Sequence, residues 1–142
     1  MFKPVDEFGE GVMSRKIGGT PLTPSQLTVM KCIWDAKEEL SYQELIADLE
    51  NRYGKEYQRS TVITFLRQLT DKGMVETYRK GRKAYVRALL LEEEFQQEQA
   101  RSVTNHWYEG KVSNFLSAFV SSGGIADEDV AEIRRLLDEL DQ

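Results

Sequence analysis

The chain of 142 residues contains one cysteine, Cys32, and one histidine, His106. A single cysteine cannot form an intrachain disulfide, and neither residue has a partner at the spacing of a metal site. CxxC, HExxH and glycine-rich phosphate-loop motifs are also missing, and no nucleophile lies beside a base in the sequence. We therefore expect no catalytic residues, no metal and no cofactor, and do not expect an enzyme.

Long apolar runs are missing as well. No window approaches the roughly 18 to 20 consecutive apolar residues of a membrane span, and the mean hydropathy is -0.52. The first 25 residues contain no apolar run typical of a signal peptide. We expect a cytoplasmic protein without a membrane partner.

Negative charge is in excess overall but is unevenly distributed. The net charge is -5, yet residues 1–91 carry 15 basic and 12 acidic side chains, whereas residues 92–142 carry 4 and 12. Within the first part, residues 52–87 hold ten basic groups and three acidic ones. Because charges attract phosphates strongly only within a Debye length of about 8 to 10 Å, this local excess favours a phosphate-binding surface. The alternative is a solvated face whose lysines serve solubility.

Two capping boxes indicate the first two helices. Residues 1–21 show no periodicity, and we interpret them as a mobile N-terminal tail. Residues 23–26 combine a capping threonine, a proline at the first helical position and a glutamine that can close the capping box. The same signal recurs at residues 41–44, and Gly54 ends that second helix.

A third helix is predicted over residues 59–72, closed by Gly73. At about 100° per residue, four apolar side chains share the arc that must face the core: Val62, Phe65, Leu66 and Leu69. The opposite face carries short hydrogen-bonding groups and no acid before Asp71, whereas an ordinary solvent face is expected to mix Glu and Lys. This composition favours contact with the major groove of DNA. The predicted base-reading residues are Arg59, Ser60, Thr61, Ile63, Thr64, Arg67 and Gln68.

Ile63 stands out on this outer face as its one large aliphatic side chain. We expect it to be exposed to solvent in the free protein and to contact a thymine methyl group in the complex, with Thr64 at the neighbouring base edge. The alternative is an exposed aliphatic residue without a function, which is common on protein surfaces.

After Gly73 the apolar pattern changes to a period of two. Residues 74–79 and 84–87 are rich in strand-forming residues, and the glycine-containing turn between them carries three cations. Three short helices followed by a hairpin predict a winged helix, whose third helix enters the major groove. We expect the basic hairpin to bind phosphates through Arg79, Lys80, Arg82 and Lys83. The alternative is a hairpin that only caps the core.

The C-terminal part is predicted to be helical and to form dimers. Three helices are indicated, ending at about Gly110, at residues 121–124 and near the C-terminus, with Asp127 as the cap of the last. Roughly fifty residues in three helices cannot easily bury so many large side chains within one copy. A second copy could cover them, and symmetric dimers are the commonest oligomers. The predicted dimerization residues are Phe95, Val103, Trp107, Phe115, Phe119, Ile133 and Leu137.

Short sequence pieces in a characteristic order carry a family resemblance. They are Leu22-Thr23, Val29-Met30, Ile33-Trp34-Asp35, Ser60-Thr61-Val62 with Thr64, Leu66 and Leu69, Asp71-Lys72-Gly73, and Gly81-Arg82 with Tyr85. From about Leu22 to the C-terminus the chain resembles the penicillinase-repressor family of small bacterial winged-helix repressors. The resemblance implies a homodimer that binds a palindromic operator and represses nearby genes, often for antibiotic resistance or metal handling. It also places the base-reading helix on residues 59–68.

The sequence departs from that family at its regulatory sites. The copper-responsive branch has a C-terminal cysteine cluster, which this chain lacks. The β-lactam branch is controlled by a regulatory protease that cuts an Asn-Phe bond. Alignment from the last helix places Ala118-Phe119 there, while Asn114-Phe115 lies one turn earlier. The glycine-rich N-terminal extension is longer than the family usually shows.

The sequence therefore predicts a mainly α fold with a small β-hairpin. Residues 22–88 form a winged helix-turn-helix DNA-binding domain, and residues 89–142 form a helical dimerization domain. The predicted function is sequence-specific transcriptional repression by a homodimer bound to double-stranded DNA. The alternative is a winged-helix protein-interaction module without sequence-specific DNA binding.

Overall fold

A computed structural model describes residues 21–141 of the protein. The tail predicted over residues 1–21 lies outside the described residues, except for Pro21. Within the described range, no helix is both long enough and apolar enough to cross a membrane.

The chain divides into two compact units between Ser102 and Val103. The N-terminal unit contains, in chain order, α1 (Pro24–Ala36), β1 (Leu40–Ser41), α2 (Tyr42–Tyr53), α3 (Arg59–Asp71), β2 (Val75–Lys80) and β3 (Lys83–Ala88). The remaining helices are α4 (Glu92–Trp107), which crosses the division, α5 (Val112–Ser122) and α6 (Asp127–Leu140). The assignment of DNA binding and dimerization to residues on either side of position 88 stays a prediction.

Both predicted capping boxes are present. The Thr23 hydroxyl accepts a hydrogen bond from the Gln26 amide at the start of α1, and Ser41 accepts one from Glu44 at the start of α2. In each box the side-chain oxygen of the third helical residue accepts a hydrogen bond from the backbone amide of the cap. Gly54 ends α2 in the left-handed conformation, as predicted.

Strands β1, β3 and β2 form an antiparallel sheet in that order. Strand β1 was not predicted, because two residues are too few to show a period, and its second residue, Ser41, also caps α2. The hairpin turn is tighter than predicted, since Lys80 and Lys83 lie in the strands and pair with each other. Gly81 has a φ of 63°, which suits the first position of a two-residue type II′ turn.

The core of the N-terminal unit lies between α1, α2, α3 and the sheet. Val62, Leu66 and Leu69 of α3 are fully buried in it, and Phe65 is half-buried against it, as the helical period predicted. Cys32 is buried in the same core as a small hydrophobic residue, and burial raises the pKa of its thiol to about 12.

The position of Phe95 corrects the prediction that this residue contributes to dimerization. Its ring is only 8% exposed, belongs to the core of the N-terminal unit and lies 5.5 Å from the ring of Trp34. The Trp34 indole also donates a 2.8 Å hydrogen bond to the carbonyl of Leu90, just before α4. Phe95 therefore has little surface to offer a second copy of the chain.

The helices of the C-terminal unit end close to the predicted positions, but few of their side chains are buried. Helices α5 and α6 contain no buried residue. Tyr108, Phe115 and Phe119 form a run of stacked rings with centroid separations of 5.2 and 5.3 Å. The predicted cap at Asp127 is wrong, since Ala126 is the cap and Asp127 is the first helical residue.

Candidate nucleic-acid and subunit interfaces

The outer face of α3 is polar and accessible. Arg59, Ser60, Thr64, Arg67 and Gln68 are exposed. The helical phase predicted from the core residues thus places five of the seven predicted base-reading residues in solvent. Among the described residues, none forms an ion pair with the Arg67 guanidinium, which is free to meet an anionic ligand.

Ile63 and Thr61 are half-buried, which corrects the expectation that Ile63 is solvent-exposed. Within the described chain, Ile63 is not one of the half-buried side chains that pack on the core. The remaining exposed part still lies on the face that carries Thr64.

At the C-terminal end of this face, Gln68 takes part in hydrogen bonds that the sequence analysis did not predict. The Gln68 side-chain oxygen accepts a 3.0 Å hydrogen bond from Gln26 Nε2, and Gln26 Oε1 accepts one of 2.6 Å from Lys72 Nζ. Gln26 is only 4% exposed. The capping box signalled the role of Gln26 in α1, but no local pattern indicates a partner 42 residues away.

Three cations converge near the start of α3. Arg59, Arg82 and Lys83 line a small cleft of about 60 Å³ together with the first residues of α2. The Arg59 guanidinium also lies over the ring of Tyr42, 5.3 Å from its centroid. This arrangement brings predicted residues of the helix and of the hairpin to one place, where their positive charges would act together on a phosphate.

The hairpin cations are not equally available. Lys80 Nζ donates to the Glu39 carboxylate, which also accepts from the Tyr78 hydroxyl. The hydrogen bond from Lys80 is the chief cause that lowers the pKa of Glu39, and the same bond raises the pKa of Lys80. Arg79 Nη2 donates a 2.8 Å hydrogen bond to the Arg82 carbonyl.

Arg82 and Lys83 are therefore the best placed of the four predicted phosphate-binding residues. Both are exposed, and in the described chain neither side chain forms an ion pair. Lys80 would have to leave Glu39 before it could contact a phosphate with its full charge.

Many large apolar side chains of the C-terminal unit are exposed. Trp107 is 73% exposed, Phe119 45% and Leu137 53%. Val103 is also exposed, whereas Phe115 and Ile133 are half-buried. Isolated exposed apolar residues are ordinary, but so many large ones in three short helices are typical of a surface that binds another protein.

Both dipeptides relevant to proteolysis lie within α5. Asn114-Phe115 and Ala118-Phe119 are in helical conformation, and Asn114 and Ala118 are exposed. Proteases preferentially cut flexible loop tips, so cleavage at either bond requires local unwinding of α5. Control by a regulatory protease stays a prediction.

Comparison with known proteins decides the family. The sequence model of the penicillinase repressor family matches residues 22–139. The chain belongs to the penicillinase repressor family. This match confirms the resemblance found in the sequence, and it assigns the chain to a family of transcriptional repressors rather than of enzymes.

The individual proteins and solved structures that the chain is similar to are distant from it in sequence. The penicillinase repressor of Bacillus licheniformis is 23% identical over 118 residues, which cover 83% of this chain and 90% of that protein. A 16.5 kDa protein of Latilactobacillus sakei is 25% identical over 116 residues, or 82% and 77% of the two chains. The solution structure of the DNA-binding domain of the repressor BlaI shares 25% identity, with a TM-score of 0.46, and covers 56% of this chain and 92% of that domain.

Proposed function

We propose that this protein is a homodimeric transcriptional repressor that binds a palindromic operator in double-stranded DNA. The observation that carries the proposal is the exposed, acid-free face of α3 beside the cationic cleft of Arg59, Arg82 and Lys83. A helix of this kind fits the major groove, while neighbouring cations bind the phosphates that flank it.

The two sets of residues have different roles. Ile63, Thr64, Arg67 and Gln68 present hydrogen-bonding and apolar groups to base edges, which can distinguish sequences. Arg82 and Lys83 supply charge to the backbone, which raises affinity for every sequence. The protein thus combines general attraction to DNA with selection of an operator.

The apolar surface of the C-terminal unit supports dimerization. Trp107, Phe119 and Leu137 expose large side chains that one copy does not cover. A symmetric dimer would bury the same surface on both copies and would present two α3 helices to two half-sites. Two half-sites would provide more base contacts and hence a more useful specificity ratio than one.

The general part of the proposal is tested with the full chain and a labelled random-sequence duplex. Binding, measured by fluorescence anisotropy, should weaken steeply with salt, by a slope of about -0.9 for each phosphate contact. Arg82→Ala should reduce this slope by about one unit and should weaken binding to operator and random DNA by similar factors. Arg134→Ala, which removes the same charge from exposed α6, is the matched control and should leave the slope unchanged.

Two results would contradict the proposal. Absence of DNA binding at low salt would favour the alternative, a module whose basic face binds an acidic protein. Loss of affinity confined to the operator in Arg82→Ala would show that this arginine reads sequence and does not serve as a general phosphate contact.

A further inference from the structure

The buried side chain of Gln26 connects the start of α1 to the outer face of α3. Its oxygen accepts hydrogen bonds from the Thr23 backbone amide at 3.1 Å and from Lys72 Nζ at 2.6 Å. Its nitrogen donates to the Gln68 side-chain oxygen at 3.0 Å. Gln68 itself is exposed and lies one turn after Thr64 on the face proposed to read bases.

The chemistry of these groups determines which way both amides point. A backbone N–H and a lysine ammonium are donors only, so the Gln26 atom that faces Thr23 and Lys72 must be the oxygen. Gln26 therefore turns its NH₂ group toward Gln68, and the Gln68 atom that meets it must be an acceptor. The orientation follows from the donor-only groups and does not depend on distinguishing nitrogen from oxygen by position.

Gln68 consequently presents its NH₂ group as the main hydrogen-bonding group on its outer side. Its oxygen faces buried Gln26, while its NH₂ group, in the described part of the chain, makes no hydrogen bond. A paired contact with adenine requires the oxygen and nitrogen of the amide to face the base edge side by side, the oxygen to N6 and the nitrogen to N7. The hydrogen bond from Gln26 takes one of the two lone pairs of that oxygen and turns it toward α1, which disfavours this side-by-side arrangement.

We propose that Gln26 is a positioning residue that makes Gln68 read bases chiefly as a donor, which selects guanine, the base with two neighbouring acceptors, N7 and O6, in the major groove. This inference rests on the proposed function, because it assumes that α3 contacts base edges. It reverses the usual expectation for glutamine, whose paired contact in the major groove is with adenine.

The test is selection of preferred sites from random-sequence duplexes by the full-length protein and its variants. The base pair whose preference disappears in Gln68→Ala is the one that Gln68 reads, and in wild type it should be guanine. Replacing that guanine by 7-deazaguanine removes the N7 acceptor and should weaken wild-type binding roughly tenfold while leaving Gln68→Ala unaffected.

Gln26→Glu is the decisive variant. A carboxylate still accepts from Thr23 and Lys72 and still closes the capping box, so α1 should remain intact. It has no donor for Gln68, however, so Gln68 must turn its NH₂ group inward and its oxygen outward. The preferred base should change from guanine to one with an exocyclic amino donor, cytosine or adenine.

Gln26→Met provides a second test in case the charged variant does not fold. Methionine has a similar shape but no amide, so it frees Gln68 to rotate, and the preference should broaden to include adenine. A purely structural role for Gln26 would lower the melting temperature without changing the selected base. That outcome, or an unchanged base in a folded Gln26→Glu, would overturn the inference.

Site selection by the wild-type protein distinguishes failure of this inference from failure of the proposed function on which it rests. If wild type enriches no sequence, the proposed function fails and the inference fails with it. If wild type enriches an operator but Gln68→Ala keeps every base preference, only the inference fails.

Discussion

The two units of this chain place similar apolar side chains in opposite environments. In the N-terminal unit, leucines such as Leu66 are fully buried between three helices and a sheet, and basic side chains are in excess over residues 52–87. In the C-terminal unit, leucines such as Leu137 remain more than half exposed, and the charge around them is mainly negative. One unit completes its own core, whereas the other leaves large apolar groups exposed.

The comparison also explains why the net charge of -5 is a poor guide to the partner. Only charges within about a Debye length of a phosphate act on it strongly, so the total charge does not decide whether Arg59, Arg82 and Lys83 can attract one. We therefore expect the sign of the charge near the contact, and not the total charge, to decide which surface binds DNA.

The strongest contrast between the units should appear in paired leucine truncations. Leu66→Ala leaves a cavity in a packed core and should lower the free energy of unfolding by about 3 to 5 kcal/mol. Leu137→Ala, measured in protein dilute enough to be monomeric, should change it by less than about 0.5 kcal/mol. Urea unfolding followed by circular dichroism gives both values, and equal losses would show that the two surfaces do not differ as described.

Dimer strength should depend on the exposed tryptophan. Trp107→Ala should weaken self-association by about 2 kcal/mol, or roughly thirtyfold in the dimer dissociation constant, because buried aromatic anchors dominate interfaces. Sedimentation equilibrium measures this constant. Gln97→Ala, an exposed change on α4 within the other unit, is the control. A wild-type protein that is monomeric at micromolar concentration would contradict the dimer.

Ile63 sharpens the comparison, since it is a large apolar residue on the otherwise polar face of the self-contained unit. Ile63→Ala should cost on the order of 1 kcal/mol at the operator and leave random-DNA affinity nearly unchanged. Replacing the contacted thymine by uracil should cost the same, and the two losses should not add, because both delete one contact.

The half-burial of Ile63 makes a stability control necessary. Val62→Ala, at the neighbouring fully buried position, should lower the melting temperature more than Ile63→Ala does. If Ile63→Ala instead causes the larger drop and keeps operator preference, Ile63 serves packing and not recognition.

The smallest predicted effect concerns the ion pair between Lys80 of the hairpin and Glu39. Hydrogen bonds from Lys80 and Tyr78 lower the pKa of Glu39 below its ordinary value of 4.5. Ionised Glu39 therefore adds stability above that value, and the contribution is lost as the pH falls through the folded-state pKa. Glu39→Gln should lower the urea midpoint slightly at pH 7, and the difference should vanish at acidic pH.

Glu38→Gln is the matched control for this pH dependence, since Glu38 is the exposed neighbour of Glu39. It should leave the urea midpoint at pH 7 close to that of wild type. A midpoint difference for Glu39→Gln that persists unchanged below the folded-state pKa would show that the carboxylate charge is not responsible.

Local sequence signals were sufficient to predict the helices and the face of α3 that packs into the core. Capping boxes, a glycine at the end of α2 and apolar residues repeating every three to four positions act within one or two turns, so the sequence contains all the information they need. The family followed from short motifs in a fixed order, which is likewise a property of the sequence alone.

The tertiary structure decided the matters that depend on distant partners. It placed Phe95 in the core of the N-terminal unit and not among the exposed apolar residues, paired Lys80 with Glu39 across 41 residues, and joined Gln26 to Gln68 across 42. No periodicity records such pairs, because the two positions come together only when the chain packs. The sequence alone determined which groups this protein can present to DNA, and only the packed structure decided which of them remain free to bind it.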